Sequence, residues 1–243
     1  MNNLINAFKL IFSSSYNAYY HKQILKALGD TINMTLISGV FSVVLGIFIG
    51  VLLTLFKNGG IKQNKVAYSI ISIIINVLRS IPFIILIVLI IPLTRKIVGT
   101  SIGVKGVIIP LIFGTVPFYS RQVEAALTDV DGGKIEAARA CGSSTCGIIF
   151  RVYLHEAVPS IIRVTTITAI SLVGLTATAA GAVAAGGLGD LAINTGMAQN
   201  RYDIIYACVI LVLLIVSVIQ LVGTLLAKAT TNKSLIKKRK FIK

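Results

Sequence analysis

Tryptophan is absent from this 243-residue sequence, and acids are scarce: eight Asp and Glu stand against 23 Lys and Arg. Charged residues make up 13% of the chain and hydrophobic residues 56%, where soluble domains carry about 25% charge. So little charge excludes intrinsic disorder, which needs low hydrophobicity and high charge density. It also leaves a water-soluble globule of this size without enough polar surface. Only three cysteines occur (Cys141, Cys146 and Cys208), and no CxxC or histidine cluster accompanies them. They cannot all pair within one chain, which argues against a disulfide scaffold or a zinc site. No GxxxxGK[ST] or HExxH occurs, and Asp131-Gly132-Gly133-Lys134 lacks the leading glycine and trailing hydroxyl of a phosphate loop. His21 and His155 read as solvated or hydrogen-bonded structural residues. No covalent chemistry, metal or cofactor of its own is expected.

What the chain does have is long uncharged runs. Thr31–Phe56 is 26 residues without a charge, and Val66–Thr94 is 29 residues interrupted only by Arg79. Gly106–Ser120 adds 15, Val164–Gly189 adds 26 and Ile204–Ala227 adds 24. About 20 apolar residues in a helix cross the hydrocarbon of a bilayer. The third run is short and needs its flanks, Lys105 and Arg121, to reach the interfaces. The runs lack the alternation of a membrane β-barrel, so the reading is an all-α integral membrane protein of about five spans. The net charge of +15 does not point to nucleic acid, because the basic residues lie between the runs and in the last 16 positions rather than in a stripe on a polar domain.

Three regions follow. Residues 1–30 form an extracytoplasmic lead-in, 31–227 the transmembrane body with a polar loop at about 128–155, and 228–243 a basic tail. Leu4, Phe8 and Phe12 recur every four positions ahead of Tyr16, Tyr19 and Tyr20, which reads either as a short interfacial helix with aromatic anchors or as a loosely ordered lead-in. A cytoplasmic C-terminus places fifteen Lys and Arg inside and seven outside, with Arg79 in the membrane. The positive-inside bias therefore predicts an external N-terminus and a cytoplasmic C-terminus in the cell membrane.

Ser38, Ser42, Gly46 and Gly50 form a four-step ladder of small residues, and Ala177, Gly181, Ala185 and Gly189 form another. Such ladders let helix backbones approach closely in lipid. Pro82, Pro92, Pro110 and Pro117 predict kinked or interrupted helices. The Gly- and Ala-rich stretch to Gly186-Gly187-Leu188-Gly189-Asp190 predicts a broken helix end. Arg79, followed by Ser80 and Pro82, either faces a pathway, pairs inside the bundle or snorkels to a headgroup.

The loop carries the strongest signal. With Gly133 as N-cap, Glu136 takes the third helical position and offsets the helix dipole. Ala137 and Ala138 keep this helix slim, Gly142 ends it in a left-handed conformation, and Ser143 or Ser144 caps the next. The expected result is two short helices at an angle, offered to another protein.

Glu136-Ala137-Ala138, three residues, then Gly142 resembles the EAA loop of binding-protein-dependent ABC transporter permeases. Val152 and Leu154 continue that pattern, while His155 stands where the family has proline and the next is Pro159. Arg79-Ser80-Ile81-Pro82-Phe83, Gly99-Thr100-Ser101-Ile102-Gly103, Pro117-Phe118 with Arg121 and Glu124, and the Gly186–Asp190 segment are similar to the methionine-importer subgroup over about residues 30–225. The resemblance implies a type I importer permease with five helices and a coupling loop. It also implies a homodimer, two cytoplasmic ABC ATPase subunits that hold ATP and Mg, and an external substrate-binding protein. Methionine rests on this resemblance; another small amino acid or related solute is the alternative. A self-sufficient secondary transporter ranks lower, because the runs hold no Asp or Glu relay.

Overall fold

The structure is a computed structural model that describes residues 2–12 and 18–241, with side chains to position 231. The described residues form helices and turns without strands. In chain order the helices are α1 (Asn2–Phe12), α2 (Ala18–Phe56), α3 (Lys65–Ser80), α4 (Phe83–Val98), α5 (Gly103–Thr128), α6 (Gly132–Ala140), α7 (Thr145–Ile148), α8 (Leu154–Val183), α9 (Gly187–Asp190) and α10 (Tyr202–Phe241). A π-helical turn at Ile149–Tyr153 joins α7 to α8, and another at Leu191–Met197 follows α9. The basic tail from Lys228 continues α10 to Phe241; Tyr16 and Lys243 lie outside the described residues.

Among the described residues four helices are long and apolar enough to cross a membrane: α2, α5, the continuous Thr145–Val183 segment, and Tyr202–Thr231 of α10. The expected second span is not one helix. α3 and α4 are 16 residues each, about 24 Å long at 1.5 Å per residue, short of the roughly 30 Å hydrocarbon. They meet at Ile81-Pro82 with a bend of 111°. Pro82 has no amide to donate and disfavours helical geometry at the residue before it, which separates the two halves. Counting the pair as one span restores five. Pro110 and Pro117 behave differently, because α5 runs through both without a break.

The chain divides into two compact units. The first gathers α1, α2 up to Phe41, Ile81–Thr115 and Ala169–Val218. One of its cores joins Ala7, Leu10, Ile24, Leu188, Ile204 and Cys208. Here α1 is a two-faced helix. Ala7 and Leu10 are buried, whereas Leu4, Phe8 and Phe12 are exposed, and the rings of Phe8 and Phe12 stack at 6.2 Å. His21 Nδ1 donates to the Leu10 carbonyl at 2.8 Å and ties α1 to α2.

The Gly- and Ala-rich end of α8 also lies in the first unit. The helix stops at Val183, after which Ala184, Gly186 and Gly187 all have positive φ, a conformation glycine adopts without cost. The freed Leu188 N–H donates to Thr31 Oγ1 at 2.8 Å. This break alters the second small-residue ladder. Gly181 faces open space, and a Cβ on Gly189 would lie 2.5 Å from Ala177 Cα, across the turn rather than along a helix face. Ala185 is buried beyond the helix end. The ladder is therefore not one packing face.

The second unit gathers Ser42–Ser80, Val116–Thr168 and α10 from Ile219 onward. Three members of the first ladder, Ser42, Gly46 and Gly50, lie here, while Ser38 belongs to the first unit. A Cβ on Gly46 would overlap the Tyr119 ring, and one on Gly50 would meet Val123 Cγ1 at 2.6 Å and the Ser120 carbonyl at 2.9 Å. Ser42 is fully buried beside them in sequence. Tyr119 is itself fixed by a 2.6 Å hydrogen bond with Thr165 Oγ1 on α8. Tyr119, Val123, Leu127, Ile148, Tyr153 and Ala157 form the core of this unit.

Candidate functional site: the α6–α7 corner

The loop predicted from the sequence forms a corner of defined geometry in the second unit. Asp131, not Gly133, is the N-cap of α6: the Gly133 N–H donates to Asp131 Oδ1 at 2.9 Å. Asp is among the best N-cap residues because its carboxylate accepts an orphan amide at the positive end of the helix. This shift of two residues moves Glu136 into the second turn, out of reach of the cap amide. Glu136 is exposed and makes no hydrogen bond or ion pair among the described residues.

The C-terminus of α6 follows the sequence reading. Gly142 has φ 74°. Its N–H donates to the Arg139 carbonyl at 2.9 Å, and the Ser143 N–H reaches Ala138 at 3.0 Å. This paired closure is the Schellman arrangement, which favours glycine at the left-handed position. Ser144 then caps α7, accepting from Gly147 N–H at 3.2 Å.

α7 does not remain a short second helix. It passes through the π-helical turn into α8, giving one continuous helix from Thr145 to Val183. No proline stands between Ser144 and Val158, since His155 occupies the motif's proline position and Pro159 lies inside α8. His155 keeps an amide for the helix ladder, so the chain has no reason to break there.

The α6 face is divided by its contacts. Ile135 and Ala138 pack against the core of the unit with Val152 and Leu154, while Gly132, Gly133, Glu136, Ala137 and Ala140 are exposed. The two alanines of the motif thus have different roles: Ala138 lets α6 sit close, and Ala137 keeps the outer face shallow. Lys134 on α6 donates to Glu156 on α8 in an ion pair. Phe150, on the π-helical turn, is 68% exposed.

A second polar cluster binds α3 to α5. Arg121 Nη1 donates to Glu124 Oε2 at 2.7 Å, and Tyr68 O–H donates to Glu124 Oε1 at 3.0 Å. Arg121 also reaches the Ser72 carbonyl at 3.5 Å and Asn76 Oδ1 at 3.4 Å. Lys57 donates to Thr128 Oγ1 at 2.8 Å. Burial draws its ammonium below the usual lysine range, against the pull of the Glu124 and Asp129 carboxylates. Tyr68 and Asn76 carry no motif signal, although both lie on the face of α3 that recurs every three to four residues.

Arg79 ends α3, exposed, with no hydrogen bond or ion pair among the described residues. Ser80 donates to the Val77 carbonyl at 2.8 Å, and Pro82 opens α4. Gly99-Thr100-Ser101-Ile102-Gly103 also spells the GxSxG of a serine-hydrolase elbow. That elbow requires a strand before the serine and a helix after it. Here two helices flank it, and Ser101 Oγ accepts from Arg95 Nε at 3.0 Å. Among the described residues no three His, Cys, Asp or Glu side chains group closely enough to hold a metal.

The long apolar helices and the doubly capped α6–α7 corner fit the permease subunit of a transport system. Residues 42–232 match the family described as binding-protein-dependent transport system inner membrane component, and the chain belongs to that family. It is 44% identical over 175 residues to the methionine import system permease protein MetP of Bacillus subtilis, covering 72% of this chain and 78% of that one. It is 41% identical over 212 residues to the probable D-methionine transport system permease protein MetI of Vibrio cholerae, covering 86% and 93%. A solved inward-facing structure of the MetNI methionine ABC transporter aligns with a TM-score of 0.83 and 40% identity, over 86% of this chain and 96% of that chain. The type I importer permease fold expected from the loop motif is the fold this chain has.

Proposed function

We propose that this chain is the membrane-spanning permease subunit of an ATP-driven importer for methionine. It works as a homodimer with a dimer of a separate cytoplasmic ABC ATPase and an external substrate-binding protein. The observation that carries the reading is the α6–α7 corner, fixed at both ends by Asp131, Gly142 and Ser144 yet bare on its outer face. A rigid, shallow protrusion with an unpaired carboxylate is what a groove on a second protein can grip.

ATP and Mg are held by the partner ATPase, whose closure displaces the corner. Gly133, Glu136 and Ala137 make the contact, and Ala138, Val152 and Leu154 transmit the displacement to the core of their unit. Coupling of this kind needs an element with two positions that both sites bias. Arg79, with Ser80 and Pro82 beside it, faces the translocation path, where a lone guanidinium in a long apolar run finds water. The N-terminus lies outside and the C-terminus in the cytoplasm, with residues 1–30 as the external lead-in, 31–227 as the permease body and 228–243 as the inner tail. The names of the relatives support methionine as the cargo.

Uptake of labelled methionine in cells carrying this chain with its neighbouring ATPase tests the reading. Glu136→Lys and Gly142→Leu are expected to abolish ATP-dependent uptake while the protein stays inserted at normal levels. Wild-type uptake in both variants would refute the coupling role. Accumulation of methionine in vesicles holding the chain alone would refute the ATPase partnership.

A further inference from the structure

In the second unit a cleft of about 440 Å³ opens between α8 and α10. Arg163, Thr166 and Ile167 line it from α8, and Gln220, Thr224 and Lys228 line it from α10. The two cations are the first charges met on leaving the uncharged runs Val164–Gly189 and Ile204–Ala227. Both therefore stand where hydrocarbon gives way to headgroups. Among the described residues no acid lines the cleft. Arg163 and Lys228 are exposed, and neither has an ion pair or hydrogen bond among the described residues.

The floor is built by close helix contact, since a Cβ on Gly223 would overlap the Thr166 hydroxyl. Thr166 donates to the Ile162 carbonyl at 2.8 Å and Thr224 to the Gln220 carbonyl at 2.7 Å. Their protons are committed, so both oxygens are left as acceptors. Ile167 adds an apolar wall that is half exposed. Three chemistries meet here: positive charge for a phosphate, acceptors for hydroxyl groups, and an apolar edge.

We infer that this cleft seats the headgroup of an anionic glycerophospholipid of the phosphatidylglycerol kind. Arg163 and Lys228 hold its phosphate diester, Thr166 and Thr224 accept from its glycerol hydroxyls, and Ile167 meets the first acyl carbons. Basic pockets between membrane helices recognise anionic headgroups in this way, each Lys or Arg adding to the attraction. A zwitterionic ethanolamine lipid brings an ammonium toward two cations and is disfavoured. A free phosphate fills the charged corner alone and leaves the wall and the hydroxyl acceptors unused.

Native mass spectrometry of the detergent-solubilised permease–ATPase complex, titrated with phosphatidylglycerol, phosphatidylethanolamine and soluble glycerol phosphate, tests the assignment. Phosphatidylglycerol should bind in preference to phosphatidylethanolamine by roughly tenfold or more. The preference should vanish in Arg163→Gln/Lys228→Gln and persist in Lys62→Gln/Lys65→Gln, which removes the same charge from exposed positions at the start of α3 and just before it. Ile167→Trp keeps both cations but fills the cleft, and it should lose the lipid as well. Equal loss in the two double variants would overturn the assignment, as would retention in the Ile167 variant. Displacement of the lipid by soluble glycerol phosphate at matched concentration would mark a free-anion site and also overturn it.

Discussion

A carboxylate immediately before a helix start decides whether that helix holds its shape. Asp131 accepts the Gly133 amide, and α6 is only nine residues long with two glycines in its first turn, too short to persist on intrinsic propensity. Removing such a cap costs about 1 kcal/mol. Asp131→Ala should fray α6 and expose Lys134 and Arg139 to faster trypsin cleavage in inside-out vesicles, with Asp131→Ser restoring protection. Unchanged cleavage in the alanine variant would show that the core contacts of Ile135 and Ala138 suffice. Glycines give a sharper contrast. Gly50→Val pushes a side chain into Val123 and the Ser120 carbonyl, whereas Gly181→Ala enters open space. Overpacking costs about 1–3 kcal/mol, so the first variant should melt several degrees below wild type in a detergent thermal-shift assay and the second should not. Equal melting temperatures would contradict the packing described.

At the scale of elements, Lys134 and Glu156 join α6 to α8. Both are partly solvated, so the pair contributes at most about 1 kcal/mol to stability, and its value lies in fixing an angle. Lys134→Glu should lower methionine uptake with little change in melting temperature, and the exchanged pair Lys134→Glu/Glu156→Lys should recover it. Failure of the exchange to restore uptake would mean that Lys134 meets the ATPase directly. Most of the corner was legible in the sequence, because Gly142 and Ser144 are residue types with few alternatives at a helix end and the next helix start. The N-cap falls two residues ahead of the Gly133 that a capping role for Glu136 requires, because Asp131-Gly132-Gly133 is a cap sequence in its own right. The continuation of α7 into α8 was hidden because apolar periodicity does not mark where a polar helix becomes a span. A π-helical turn has no composition of its own. Proline was an uneven guide: Pro82 breaks its span while Pro110 and Pro117 do not, since neighbouring helices can accommodate the lost bonds.

For the whole molecule, the charge asymmetry predicts how reagents reach the chain. Cys141 and Cys146 are exposed and Cys208 is buried. An impermeant maleimide should label none of them in intact cells and should label the first two after permeabilisation, with assembly on the ATPase slowing the reaction. Labelling of Cys141 from outside intact cells would reverse the orientation. The broad architecture was readable because lipid leaves the backbone few choices; the contacts of Arg121 with Tyr68 and Asn76 were not, because pairing between helices depends on rotation about each axis. That rotation gives the joined Thr145–Val183 helix a final property. Every inserted or deleted residue turns all that follows by about 100°, so the phase of the corner and the phase of the transmembrane stretch are locked together. A one-residue insertion after Leu154 would turn Thr165 away from Tyr119 and Thr166 away from Gly223, whereas a seven-residue insertion, about 20° short of two full turns, would nearly restore their headings.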